Sequence, residues 1–123
     1  MTDETQPLTQ ALIGALARVH GSLTEIGTVW RRIAPDRPGL PLDRPLRLAD
    51  AVHDLMATVD TDPAGLPARL AGLERDLVAA AALTSAPGAP AAGDAGLWAF
   101  ARAALGQAQD LAARPARRLP LAS

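Results

Sequence analysis

The sequence predicts an all-α protein, a four-helix antiparallel bundle with a long first helix and a proline-rich connection. The large apolar residues between positions 12 and 33 recur at alternating intervals of three and four after an opening step of four. This spacing is typical of a helix that packs one narrow stripe against other helices. The stripe, which we call the seam, consists of Leu12, Leu16, Val19, Leu23, Ile26, Trp30 and Ile33. Three later segments carry similar stripes, separated by prolines and glycines.

Helix one is predicted over residues 6–34. Pro7 suits a first helical turn, and Pro35 disfavours the helical conformation for the residue before it. Such a helix is roughly 40 Å long at about 1.5 Å per residue. The proline-rich connection follows over residues 35–46, where four prolines in twelve residues exclude a helix.

Helix two is predicted over residues 46–60 and helix three over 66–84, with Asp62 as a cap at the start of the third helical segment. Residues 85–93, rich in Ala, Pro and Gly, are expected to form a flexible linker. Helix four, capped by Asp94, is predicted over 94–113 because Pro115 disfavours its continuation, and 114–123 is expected to be a frayed basic tail. Residues 1–123 are therefore predicted to form a single helical-bundle domain.

Composition limits the classes of function. The 123 residues include no cysteine, which excludes disulfides, thiolate metal ligands and a cysteine nucleophile. A formal net charge of −1 and a content of only two Trp, one Phe and no Tyr disfavour general nucleic-acid binding. The sequence lacks a membrane-spanning stretch and begins with polar, acidic residues, so we expect a cytoplasmic protein with no membrane contact.

Catalytic patterns are also missing from the sequence. It contains no Gly-x-Ser-x-Gly motif, no glycine-rich phosphate loop between a strand and a helix, and no lysine for a Schiff base. We therefore expect a protein that is not an enzyme and that needs no cofactor and no metal ion.

His53 is the residue most open to other interpretations, because it lies with Asp50 and Asp54 on the outward side of helix two. Asp50 and His53 have the three-residue spacing with which two side chains on a helix can share a metal ion. The ordinary interpretation is that all three residues form a solvated helix face.

Two family resemblances involve the same segment. Arg47 and His53, with five residues between them, resemble the Arg-x4-6-His motif of HEPN domains, small helical bundles, and this implies ribonuclease action at the pair. Residues 53–57 resemble the His-x-Leu-Lys-Gly motif of histidine-phosphotransfer domains, although Met56 replaces the lysine and Ala57 the glycine. That resemblance implies a bundle whose His53 accepts a phosphoryl group. An alternative site would thus comprise Arg47, Asp50, His53 and Asp54.

Charge is segregated along the chain. Residues 28–47 contain five arginines and two aspartates, a local charge of +3. Residues 48–76 contain six acidic residues and two arginines, a local charge of −4. The five arginines are Arg31, Arg32, Arg37, Arg44 and Arg47. These patches are either solvated faces or surfaces that fix the choice of partner.

We therefore expect a non-catalytic helical protein-interaction module, such as an adaptor, an assembly subunit or a self-associating protein. The alternative site ranks second and a nucleic-acid contact through the arginines third. Helix two, at about 14 residues, spans only about 21 Å, half the length of helix one. Because a large uncovered apolar stripe is uncommon on a monomer, we also expect a homodimer with helix one in its interface.

Overall fold

A computed structural model describes residues 5–37, 39–83 and 93–122, with side chains described between residues 8 and 113 of these ranges. The described residues form four α-helices and no strand: α1 (Thr5–Ile33), α2 (Arg44–Thr58), α3 (Leu66–Ala81) and α4 (Ala95–Ala122). Short 3-10 turns at Ala34–Asp36 and Pro63–Gly65 precede α2 and α3. The predicted all-α helical bundle is confirmed.

The four helices form a closed ring of neighbours. Helix α1 packs against α2 and α4, and α3 packs against the same two helices from the other side. The α1–α2 pair is antiparallel, because Gly27 lies against Leu46 while the earlier His20 lies beside the later His53, and it is closely packed, since a Cβ atom on Gly27 would lie 3.4 Å from Leu46 Cδ2. The α1–α4 pair is also antiparallel, since Arg18 Nη2 donates to Gln107 Oε1 at 2.7 Å and Ser22 Oγ donates to Leu97 O at 2.6 Å.

The seam lies in the centre of the bundle. Its first six residues are at most 5% exposed, and Ile33 is half-buried. Helices α2 and α4 both pack against α1, and the seam is buried between them and α3. The apolar stripe that suggested a homodimer through helix one is therefore covered within a single chain.

The other three helices complete the same hydrophobic core from their inner faces. Helix α2 contributes Leu48, Ala49, Val52 and Leu55; α3 contributes Leu66, Leu70, Leu73, Leu77 and Ala80; α4 contributes Trp98, Ala101, Ala104, Leu105 and Ala108. Leu40 and Leu42, from the proline-rich connection, pack against this core. The connection therefore lies on the bundle and holds the ends of α1 and α2 together.

Most helix boundaries differ from the prediction, and three of the differences are informative. Helix α2 begins at Arg44 and includes Pro45, whose missing N–H costs nothing in a first turn. Helix α3 ends at Ala81, three residues before the predicted end. Helix α4 does not end at residue 113 but continues to Ala122, so residues 114–122 of the predicted tail are helical: Pro115 removes a backbone donor and disfavours a helix without forbidding one. The predicted linker lies outside the described residues except for its last residue, Gly93.

Candidate functional site

Five arginines lie at one end of the bundle, which we call the arginine end: Arg31, Arg32, Arg37, Arg44 and Arg47. Two belong to the last turn of α1, one follows the first 3-10 turn, and two belong to the start of α2. The antiparallel packing of α1 on α2 brings these helix ends together. The +3 segment of the sequence is therefore also one region of the folded surface.

Most guanidinium groups of the arginine end face solvent. Arg37 is half-buried and the other four arginines are exposed. Arg47 Nη2 lies 2.8 Å from Asp43 Oδ2, and these side chains are 78% and 57% exposed. Such an exposed ion pair contributes less than about 1 kcal/mol, so a carboxylate of a partner can replace Asp43 at little cost. Among the described residues, Arg31, Arg32 and Arg44 form no ion pair.

The structure holds the residues of the alternative site apart. Arg47 is paired with Asp43, the ring of His53 lies beside α1, and Asp54 lines a groove towards α3. A separation of six residues places Arg47 and His53 about 9 Å apart along the helix axis and about 120° apart around it. Their side chains therefore point to different parts of the surface.

The groove beside Asp54 is shallow and open to solvent, with a volume of about 330 Å³. It is lined by Ala51, Asp54, Leu55, Arg69, Gly72, Leu73 and Asp76. Arg69 in this groove lies 3.2 Å from Asp62 Oδ2 and donates to Thr58 Oγ1 at 3.1 Å. Its cation is thus already held by the turn between α2 and α3.

The two histidines of the chain are neighbours in space. The ring centroids of His20 on α1 and His53 on α2 are 6.3 Å apart, and their planes are tilted by 52°. His20 is half-buried, and His53 is exposed, as the sequence predicts for His53. Within the described residues, no group of three or more His, Cys, Asp or Glu side chains is arranged to hold a metal ion.

Asp94 connects the start of α4 with the end of α1. Its side chain is buried, at 3% exposure, and its Oδ2 accepts hydrogen bonds from both indole nitrogens, Trp30 Nε1 and Trp98 Nε1, at 2.9 Å each. The two indole rings lie 6.1 Å apart with a tilt of 57°, an arrangement that aromatic pairs favour. Asp94 therefore anchors α4 on α1, close to the arginine end.

The Asp94 anchor and the histidine pair are not predicted from the sequence. The sequence predicts Asp94 only as a helix cap, and its backbone carbonyl does accept the first hydrogen bond of α4, from Trp98 N at 3.0 Å. The four-residue spacing of Asp94 and Trp98 is a usable signal, because it places both side chains on one helix face. The contact with Trp30 has no local signal, since it depends on the register of α4 against α1.

No protein-family model matches this chain, and no significant match is found among the curated proteins or the solved structures. Within the described residues, no helix combines the length and the apolar character needed to cross a membrane.

Proposed function

We propose that this protein is a non-catalytic interaction module, a small adaptor or assembly subunit, that binds an acidic surface of a partner protein through its arginine end. The observation that carries the proposal is the convergence of five arginines from two antiparallel helix ends, three of them without an ion pair among the described residues. A guanidinium group binds a carboxylate in bidentate geometry, which gives such a surface both affinity and orientation.

The framework behind the arginine end supports this proposal. The end of α1 and the start of α2 are held by the connection, and the end of α1 is tied to the start of α4 through the bond from Trp30 to Asp94. Arginines on rigid elements lose little backbone freedom on binding, which lowers the entropic cost of the complex. We also propose a cytoplasmic location. A chain without cysteine forms no disulfide bond and so does not require an oxidising compartment.

The alternative site at Arg47 and His53 has weaker support. Asp50 and Asp54 flank His53 on α2 and would repel the roughly two negative charges of a phosphohistidine. Arg47, the nearest cation on that helix, lies nearly two turns from His53 and about 120° away around the helix. A ribonuclease pair would need both side chains at one phosphate, whereas they point to different parts of the surface.

The proposal is tested by charge reversal at the arginine end with a control of equal net charge. The test variant carries Arg31→Glu and Arg44→Glu, and the control carries Arg75→Glu and Arg102→Glu, which are exposed positions on α3 and α4. Each protein is expressed in the native organism and isolated with its cross-linked partners, which quantitative mass spectrometry then measures. We expect the wild type and the control to recover the same partner, and the test variant to recover at least about tenfold less.

Equal recovery with both variants would contradict a contact at the arginine end. Loss of the partner after nuclease treatment would instead favour the nucleic-acid contact. Recovery of a second copy of the chain would identify the partner as the protein itself, with its −4 segment as the acidic surface. Sedimentation velocity on the purified chain measures that outcome directly.

A further inference from the structure

The histidine pair has a geometry that the proposed function does not use. The two histidines of the chain, His20 and His53, are 33 positions apart in the sequence. The packing of α1 on α2 places their rings side by side. His53 is exposed and His20 is half-buried, so solvent reaches the space beside both rings.

The separation of the rings matches a shared metal ion. A Zn–N bond of about 2.0–2.1 Å places each imidazole centroid about 3.2 Å from the ion. Two imidazoles on one ion therefore have centroids about 5.2 Å apart at a tetrahedral angle and up to about 6.4 Å apart in a linear arrangement. The observed distance is 6.3 Å, so a tetrahedral arrangement requires the exposed His53 side chain to move about 1 Å towards His20 and each ring to turn one nitrogen towards the ion.

The charges around the pair favour a cation. Asp50 and Asp54 precede and follow His53 on α2, and both are exposed. Arg47, the nearest basic residue on α2, is held by Asp43 on the side of the arginine end. Asp50, one turn before His53, adds a negative charge on the same side of α2, which favours a cation over a phosphoryl group beside His53.

We propose that His20 and His53 together bind one divalent transition-metal ion of the Zn²⁺ or Cu²⁺ class, with water in the remaining coordination positions. Imidazole nitrogen is a preferred ligand of these ions. Two protein ligands make the site weaker and more exchangeable than a four-ligand structural zinc site. The bound ion would join α1 to α2, and this proposal replaces the expectation of a protein without a metal site.

Zn²⁺ is the appropriate test ion, because Cu²⁺ also binds chain termini. The complete chain without a histidine tag is titrated with ZnCl₂ by calorimetry, and the two imidazole rings are followed by NMR. We expect saturable binding of one ion per chain and perturbation of both rings together. His20→Asn and His53→Asn should each weaken binding at least tenfold, whereas Asp36→Asn, which removes an exposed carboxylate near the arginine end, should leave it unchanged.

Thermal unfolding provides the second measurement and shows whether each variant folds. Zn²⁺ should raise the unfolding midpoint of the wild type, because the native state alone brings the two rings together, and should not raise it in either histidine variant. Binding that persists in both histidine variants would overturn the proposal. The same conclusion would follow from perturbation of only one ring, or from a Zn²⁺-induced dimer in light scattering, since the ion would then lie between two chains.

Discussion

Replacing Asp94 with alanine is expected to lower the free energy of unfolding by about 2–5 kcal/mol, because it leaves two buried indole N–H groups without their acceptor. Each unsatisfied buried donor costs about 1–3 kcal/mol, and Asp94, at 3% exposure, is almost fully shielded from solvent. The loss also separates the start of α4 from the end of α1. Near-UV circular dichroism of the two tryptophans should weaken at the same time.

Asp94→Asn is the matched control for this prediction. The asparagine side chain keeps an oxygen in a similar position, which accepts hydrogen bonds from the indole nitrogens. The Asp94→Asn variant should therefore lose clearly less stability than the Asp94→Ala variant. Urea unfolding followed by far-UV circular dichroism measures both, without relying on tryptophan fluorescence. A loss below about 0.5 kcal/mol in Asp94→Ala would show that this anchor does not exist in solution.

Leu23→Ala is expected to cost about 2–5 kcal/mol, because it opens a cavity in the middle of the seam. Leu23 is fully buried, and it lies halfway along the part of α1 that α2 and α4 cover. The neighbouring Thr24 is exposed, and its hydroxyl donates only to the carbonyl of His20 one turn earlier, at 2.9 Å. Thr24→Ala should therefore change stability by less than about 0.5 kcal/mol. Equal effects of the two substitutions in urea unfolding would mean that the helical register of α1 is wrong.

The fold could be predicted from the sequence because its main signals are local. The spacing of the seam fixes which face of α1 is buried, and Pro35 fixes where the helix ends. The predicted end of α4 is wrong, because the rule that a proline stops a helix is a preference and Pro115 lies within the observed helix. The sequence also predicts too large an exposed part of the seam. How much of the seam the other helices cover depends on tertiary packing, which the spacing of residues does not give.

The candidate sites also differ in whether the sequence could predict them. The arginine end could be predicted as a charged segment, since its five residues lie within 17 positions (31 to 47) around one helical hairpin. The histidine pair and the Asp94 anchor each join residues of different helices. Their geometry depends on the registers of α1 against α2 and α4, which are set by contacts such as those of Gly27 with Leu46 and of Arg18 with Gln107. No spacing within one helix encodes these registers.

The central claim is that one chain buries the seam from Leu12 to Trp30 and leaves its polar surface for a partner. The most direct measurement is the urea midpoint of the purified protein as a function of its own concentration. A core formed within one chain predicts the same midpoint from about 1 to about 100 µM. The reason is that one folded chain then gives one unfolded chain, so the equilibrium does not depend on protein concentration. A midpoint that rises steadily with concentration, together with loss of helicity on dilution, would contradict the claim and show that the core is shared between chains.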